Sequence, residues 1–162
     1  MIPAEIILNP AWWSRNYGIS FEQPFYLDAA ARIENDVQMR RVMYERFGLG
    51  VPDPKPRPVI GSMCVAGGFV IPALFGVEVR FAADQAPWPV PTVLNREQIL
   101  ALRVPGLEST WPLSEWARDM DALEREFGCV VGDFDLDGIL NTALHLRGQQ
   151  LYLDFFDDPD LV

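Results

Sequence analysis

Twenty consecutive residues, Pro58 to Val77 (PVIGSMCVAGGFVIPALFGV), pass without a charge. A stretch of that length is long enough for a helix to cross a bilayer. Four glycines and two prolines interrupt it, and Arg57 and Glu78 flank it without an aromatic belt. That punctuation fits a buried strand, a loop and a helix in an α/β core better than a membrane span.

The surrounding sequence supports the same class. Val59-Ile60 precedes a glycine-rich turn, Val77–Phe81 reads as a second strand, and Cys129–Asp133 as a third. Between them lie helical patterns. Asp28 can cap a helix running to Phe47, with Ile33, Val37, Tyr44 and Phe47 on its apolar side. Asp36–Arg40 and Arg41–Glu45 then form i,i+4 pairs on its wet side, and Gly48 ends it. A second helix, capped by Ser114, places Trp116, Met120, Leu123 and Phe127 on one face and stops at Gly128. Both apolar stripes read as core packing. A third helix covers Ile139–Leu146 and stops at Gly148. Strands separated by helices predict βαβ units and a parallel sheet, in a barrel or a doubly wound arrangement. The prolines of VPDPKPRP (51–58) form a stiff connector, dividing an N-terminal extension with a helix (1–50) from the first βα units (51–162) of one domain.

The 162 residues carry a formal net charge of −10, spread unevenly. Residues 1–114 hold ten Lys/Arg against eleven Asp/Glu, whereas residues 115–162 hold three against twelve. Such a surface repels phosphate backbones and anionic lipid, so neither nucleic acid nor membrane is an expected partner. Cys64 and Cys129 have no CxxC partner, which fits a reduced, cytoplasmic protein. MIPAEIILNP lacks the basic start and long apolar run of a signal peptide.

The strongest local motif is DFDLDG (133–138). It matches the opening of a calcium loop, but the twelfth position, where a bidentate Glu is needed, is Leu144. As a strand end instead, it points Asp133, Asp135 and Asp137 one way and Phe134 and Leu136 the other. Carboxylates at the carboxyl end of a parallel strand sit where such folds bind ligands. Asp137 alone reads as the cap of the next helix, while the trio reads equally as a site or as solvated acids. His145, the single histidine, shares a helix face with Asn141. Cys64 in SMCVAGG follows a strand but has no identifiable base, so it reads as a small buried thiol. Gly61, Gly67 and Gly68 do not spell a phosphate loop.

Two blocks resemble a known family. GGFVIPALFGVEVRFAADQAPWP (67–89) resembles the early turn, helix and strand of the uroporphyrinogen decarboxylase superfamily. GDFDLDGILNTALHLRGQQLYLDFFDDPDLV (132–162) resembles its later segment, with Gly138, Thr142, Ala143, Gly148, Asp154, Pro159 and Val162 as landmarks. The resemblance runs from about residue 30 to the end. It implies a (β/α)8 barrel roughly twice this length, of which the chain is the N-terminal half. Asp158-Pro159-Asp160 reads as the start of a helix leading into the remainder.

The departures separate the branches of that superfamily. The decarboxylase branch carries an arginine-rich segment near its start, where this chain has WWSRNYGISF with only Arg15. Its Ser-Asp pair is matched by Ala66 and Gly67, and its helix tyrosine by Leu146. A methyltransferase-like enzyme is therefore the expectation, passing methyl groups between a corrinoid and a thiol. Its zinc ligands are expected outside this chain, which alone should be inactive. The substrate wall is expected to include Ser62, Asp133, Asp135, Asn141 and His145, with no metal or cofactor held by this chain. A corrinoid protein, a small-molecule substrate and a missing C-terminal half are the implied partners. The alternatives are a decarboxylase of the same fold and a non-catalytic half-barrel that pairs with a copy of itself or with another subunit.

Overall fold

The structure, a computed structural model, describes residues 7–61 and 68–162. Three helices open the chain. In α1 (Pro10–Tyr17) the Asn9 side chain accepts from the Trp12 amide, proline fills the first turn, and Gly18 closes the helix in the left-handed region. α2 (Gln23–Leu27) leads directly into α3 (Ala29–Phe47). Both ends of α3 lie where the sequence puts them, with Asp28 accepting from the Ala31 amide and Gly48 at the C-cap.

The buried face of α3 is not the expected one. Arg32, Asp36, Met39 and Val42 face the interior, while Tyr44 and Phe47 are exposed. Asp36 is 0% exposed, so its pair with Arg40 (2.7 Å) does not belong to the wet side. The cause is the connector, from which Arg57 reaches back to grip both Asp36 oxygens at 2.8–3.2 Å. A carboxylate with two guanidinium partners tolerates burial that a lone one does not.

β1 (Val59–Gly61) and β4 (Val131–Asp133) pair in parallel, with Val59, Ile60 and Gly61 opposite Val131, Gly132 and Asp133. Between them come α4 (Val70–Leu74), β2 (Val79–Ala82), β3 (Gln85–Pro89), α5 (Arg96–Ala101) and α6 (Leu113–Phe127). The second predicted strand therefore lies elsewhere than expected. β2 and β3 form a separate antiparallel hairpin, turned at Ala83-Asp84. Pro87 and Pro89 cannot donate to a ladder, which an edge strand tolerates. Ala83 docks this turn through its carbonyl, which accepts from the Phe21 amide at 3.0 Å. The fold is mixed α/β, and no closed barrel forms among the described residues.

α6 ends at Gly128 as expected, but Pro112 rather than Ser114 occupies its N-cap position, with no side-chain bond. Trp116 and Leu123 are buried, whereas Met120 and Phe127 stay exposed, so only half of its stripe packs in the core. α7 (Ile139–Arg147) and α8 (Gln150–Asp157) follow. Pro159–Leu161 makes one 3₁₀ turn that Asp158 does not cap. Its carboxylate accepts instead from Arg96 Nε at 2.5 Å.

One core joins the N-terminal helices to the rest. Trp13, Phe21 and Phe25 belong to the same buried cluster as Ile60, Phe69 and Trp116. The Trp116 indole donates to the Tyr26 carbonyl at 2.7 Å, and its ring meets Phe69 edge-on at 6.1 Å. Among the described residues no helix is long and apolar enough to cross a membrane.

Asp36→Ala should cost about 3 kcal/mol or more, because it leaves Arg40 and Arg57 without their shared acceptor beside the buried Arg32. Urea unfolding measures it. A loss below about 1 kcal/mol would mean that the arginines simply turn to water.

Candidate functional site

Gly61 and Asp133 end the two parallel strands side by side. Gly61 has φ +87°, and a Cβ there would collide with the Asp133 carbonyl oxygen. Only glycine permits both the backbone and the approach. The carboxyl end of such a strand pair is where parallel α/β folds form their ligand crevice.

Polar groups converge on that edge from three elements. From α3, Arg32 is 1% exposed and donates through Nη2 to the Gly61 carbonyl. Its guanidinium lies over the Phe25 ring, 4.9 Å from the centroid. Burial pushes this group down to about 10, against the pull of Tyr26, Asp36 and Asp133 toward the charged form. Burial also raises the Tyr26 phenol, which stays a neutral donor. From the segment after β4, Asp137 approaches α4: a Cβ at Gly68 would press on the Asp137 side chain at 2.5 Å. From α7, Asn141 Nδ2 donates to Asp137 Oδ1 at 3.1 Å. His145 Nε2 stands 3.4 Å from Asp137 Oδ2, an ion-pair distance without the alignment of a hydrogen bond.

The sequence-predicted residues fare differently. Asn141 and His145 do share a face, and Asp137 is the group that joins them. Asp137 is therefore not a cap. Gly138 occupies the N-cap of α7, and no side chain bonds there. Asp133 closes β4 next to Gly61, half-buried. Asp135 is exposed beyond the strand, so the expected one-sided alternation of 133, 135 and 137 stops at Asp133. The reason lies in Phe134, which leaves the strand path to stack on Trp116 at 5.0 Å. Ser62 and Cys64 lie outside the described residues.

Residue type does not announce Arg32, because charged helix positions ordinarily face water. The available signal was spacing: Arg32 and Asp36 continue the stripe of Met39 and Val42 at helical intervals.

α7 is held firmly in place. The Thr92 and Leu94 amides donate to the His145 and Leu146 carbonyls at 2.8 and 2.9 Å. Arg147 forks onto Asp154 at 2.6 and 2.9 Å and also donates to the Leu94 carbonyl at 2.6 Å. Between α4 and α7 opens a pocket of about 410 Å³, lined by Ile71, Phe75, Leu146, Thr142 and Asp137. A mostly apolar pocket with a few convergent polar groups suits a small organic ligand. A larger groove of about 800 Å³ lies between α3 and α6, away from the strand ends. Among the described residues no three His, Cys, Asp or Glu side chains could together hold a metal ion, and Cys129 is exposed.

Hydrogen bonding from Arg147 holds the Asp154 carboxyl below the usual carboxylate range. Its folded-state value is thus below the unfolded value of about 4, so the clamp stabilises above that pH and fades as the pH falls through the folded value. Asp154→Asn should lower the urea midpoint at pH 7, and the gap from wild type should close below about pH 4. A gap that persists unchanged at pH 3 would show that ionisation of Asp154 does not matter. No family model, curated protein or solved structure matches the chain.

Proposed function

We propose that the chain forms one wall of a small-molecule pocket in a uroporphyrinogen decarboxylase-like (β/α)8 barrel, on the methyltransferase-like side of that superfamily. The observation that carries the reading is the parallel, in-register pairing of β1 and β4. Asp133 lies at their carboxyl ends, and the Asp137–Asn141–His145 cluster follows just beyond.

The exposed apolar residues support the same reading. Ile139 and Phe156 are 92% and 86% exposed, and Leu140, Tyr152, Leu153 and Phe155 are also open. A barrel wall shows such a surface where further βα units pack against it. A second copy would bring two strongly acidic surfaces together, so a complementary stretch of different sequence is the better occupant.

In this arrangement Asn141 and His145 hold Asp137, and Asp137 with Thr142 orients a ligand whose apolar part rests on Ile71, Phe75 and Leu146. Zinc finds no ligand set among the described residues, so no step is assigned to a metal here. The wall binds and orients the thiol substrate, and the groups that activate its sulfur belong to the complementary part.

The test uses the protein isolated from its native source with whatever remains bound to it. The assembly should demethylate methylcobalamin in the presence of a thiol, followed by absorbance, while the purified 162-residue chain does not. Asp137→Ala should raise KM for the thiol at least tenfold with a smaller effect on kcat, as loss of a binding contact does. Loss of carboxylates from uroporphyrinogen, seen by mass spectrometry, would assign the decarboxylase branch instead. Turnover by the chain alone would overturn its role as a wall.

A further inference from the structure

Three donor positions are buried at the end of β1 without an acceptor. Arg32 Nε, Arg32 Nη1 and the Tyr26 hydroxyl have no hydrogen-bond partner among the described residues. Both side chains are 1% exposed, so water does not solvate them freely. Nε and Nη1 carry most of the five guanidinium donors, and buried donors of this kind are almost always satisfied. The Gly61 carbonyl accounts for Nη2 alone.

The neighbouring acids do not supply the missing partner. Asp36 directs both oxygens to Arg40 and Arg57. Asp36 and Asp133 are the acids that act on the guanidinium, and Asp36 is already shared by Arg40 and Arg57. The Phe25 ring covers one face of the group, so a ligand must come in the plane of the donors.

We propose that Arg32 and Tyr26 form an oxyanion subsite at the carboxyl ends of β1 and β4, which takes the monoanionic carboxylate of a small-molecule ligand. The carboxylate oxygens accept from Arg32 Nε or Nη1 and from the Tyr26 hydroxyl, which are charge-assisted and neutral bonds respectively. With Asp36 and Asp133 already near the guanidinium, a doubly charged phosphate is repelled more than a singly charged carboxylate. The inference rests on the strand ends and on these donors, and it stands independently of methyl transfer.

Calorimetric titration of the full chain with butyrate and with inorganic phosphate, at fixed ionic strength in chloride, tests it. Butyrate should bind saturably and more tightly than phosphate. Tyr26→Phe should weaken butyrate at least tenfold, yet keep or raise the melting temperature of the ligand-free protein, since it deletes an unpartnered buried hydroxyl. Arg32→Lys should weaken butyrate as strongly. If Arg32 merely anchors β1, Tyr26→Phe will leave affinity unchanged, and that result overturns the subsite. Absence of saturable butyrate binding, or tighter phosphate binding, overturns it too. Butyrate binding in a protein whose native assembly leaves methylcobalamin untouched keeps the subsite and removes the methyl-transfer reading.

Discussion

A single buried carboxylate sets the geometry of the N-terminal half. Asp36 is sealed from solvent on α3, and it is acceptable there only because Arg40 and Arg57 both bind it. Arg57 belongs to the proline-rich connector two residues before β1. The ion pair therefore fixes where the connector delivers the first parallel strand. With β1 placed, Arg32, one helical turn before Asp36, comes under the Gly61 carbonyl. The aromatic residues Phe25, Tyr26, Phe69 and Trp116 then close around that junction.

The second half of the site depends on close approach and on clamping. Gly61 lets β4 come against the end of β1, and Gly68 lets Asp137 come against the start of α4. The Arg147–Asp154 fork and the backbone of 92–94 then hold α7 so that Asn141 and His145 meet Asp137. Charge, packing and backbone conformation thus converge on one edge, the carboxyl end of the β1–β4 pair.

Elements marked by local chemistry were legible in the sequence. α3 has an aspartate cap and a glycine stop, and α6 and α7 end at Gly128 and Gly148. The face of α3 was not legible, because a charge pair at i,i+4 looks the same in water or in a core until its third partner is known. Arg57 lies 21 residues away, and no periodicity reports it. The β2–β3 hairpin was obscured by Pro87 and Pro89, which argue against a strand unless it lies at an edge. Helical spacing alone puts Asn141 and His145 on one face, whereas a lone Asp137 before a helix looks like a cap until its partners on α7 are known. The exposed Met120 and Phe127 continue a stripe that predicts core, since periodicity reports an apolar face and not what covers it.

The carboxyl ends of β1 and β4 are the place where a ligand is expected. The most direct measurement is the arginine Nε–H spectrum of the isotopically labelled chain during a carboxylate titration. The Arg32 resonance should exchange slowly with water and move on titration together with the Tyr26 ring signals, while Arg40 and Arg57 stay in place. Shifts confined to exposed arginines such as Arg118 and Arg103, with Arg32 unmoved, would contradict that expectation.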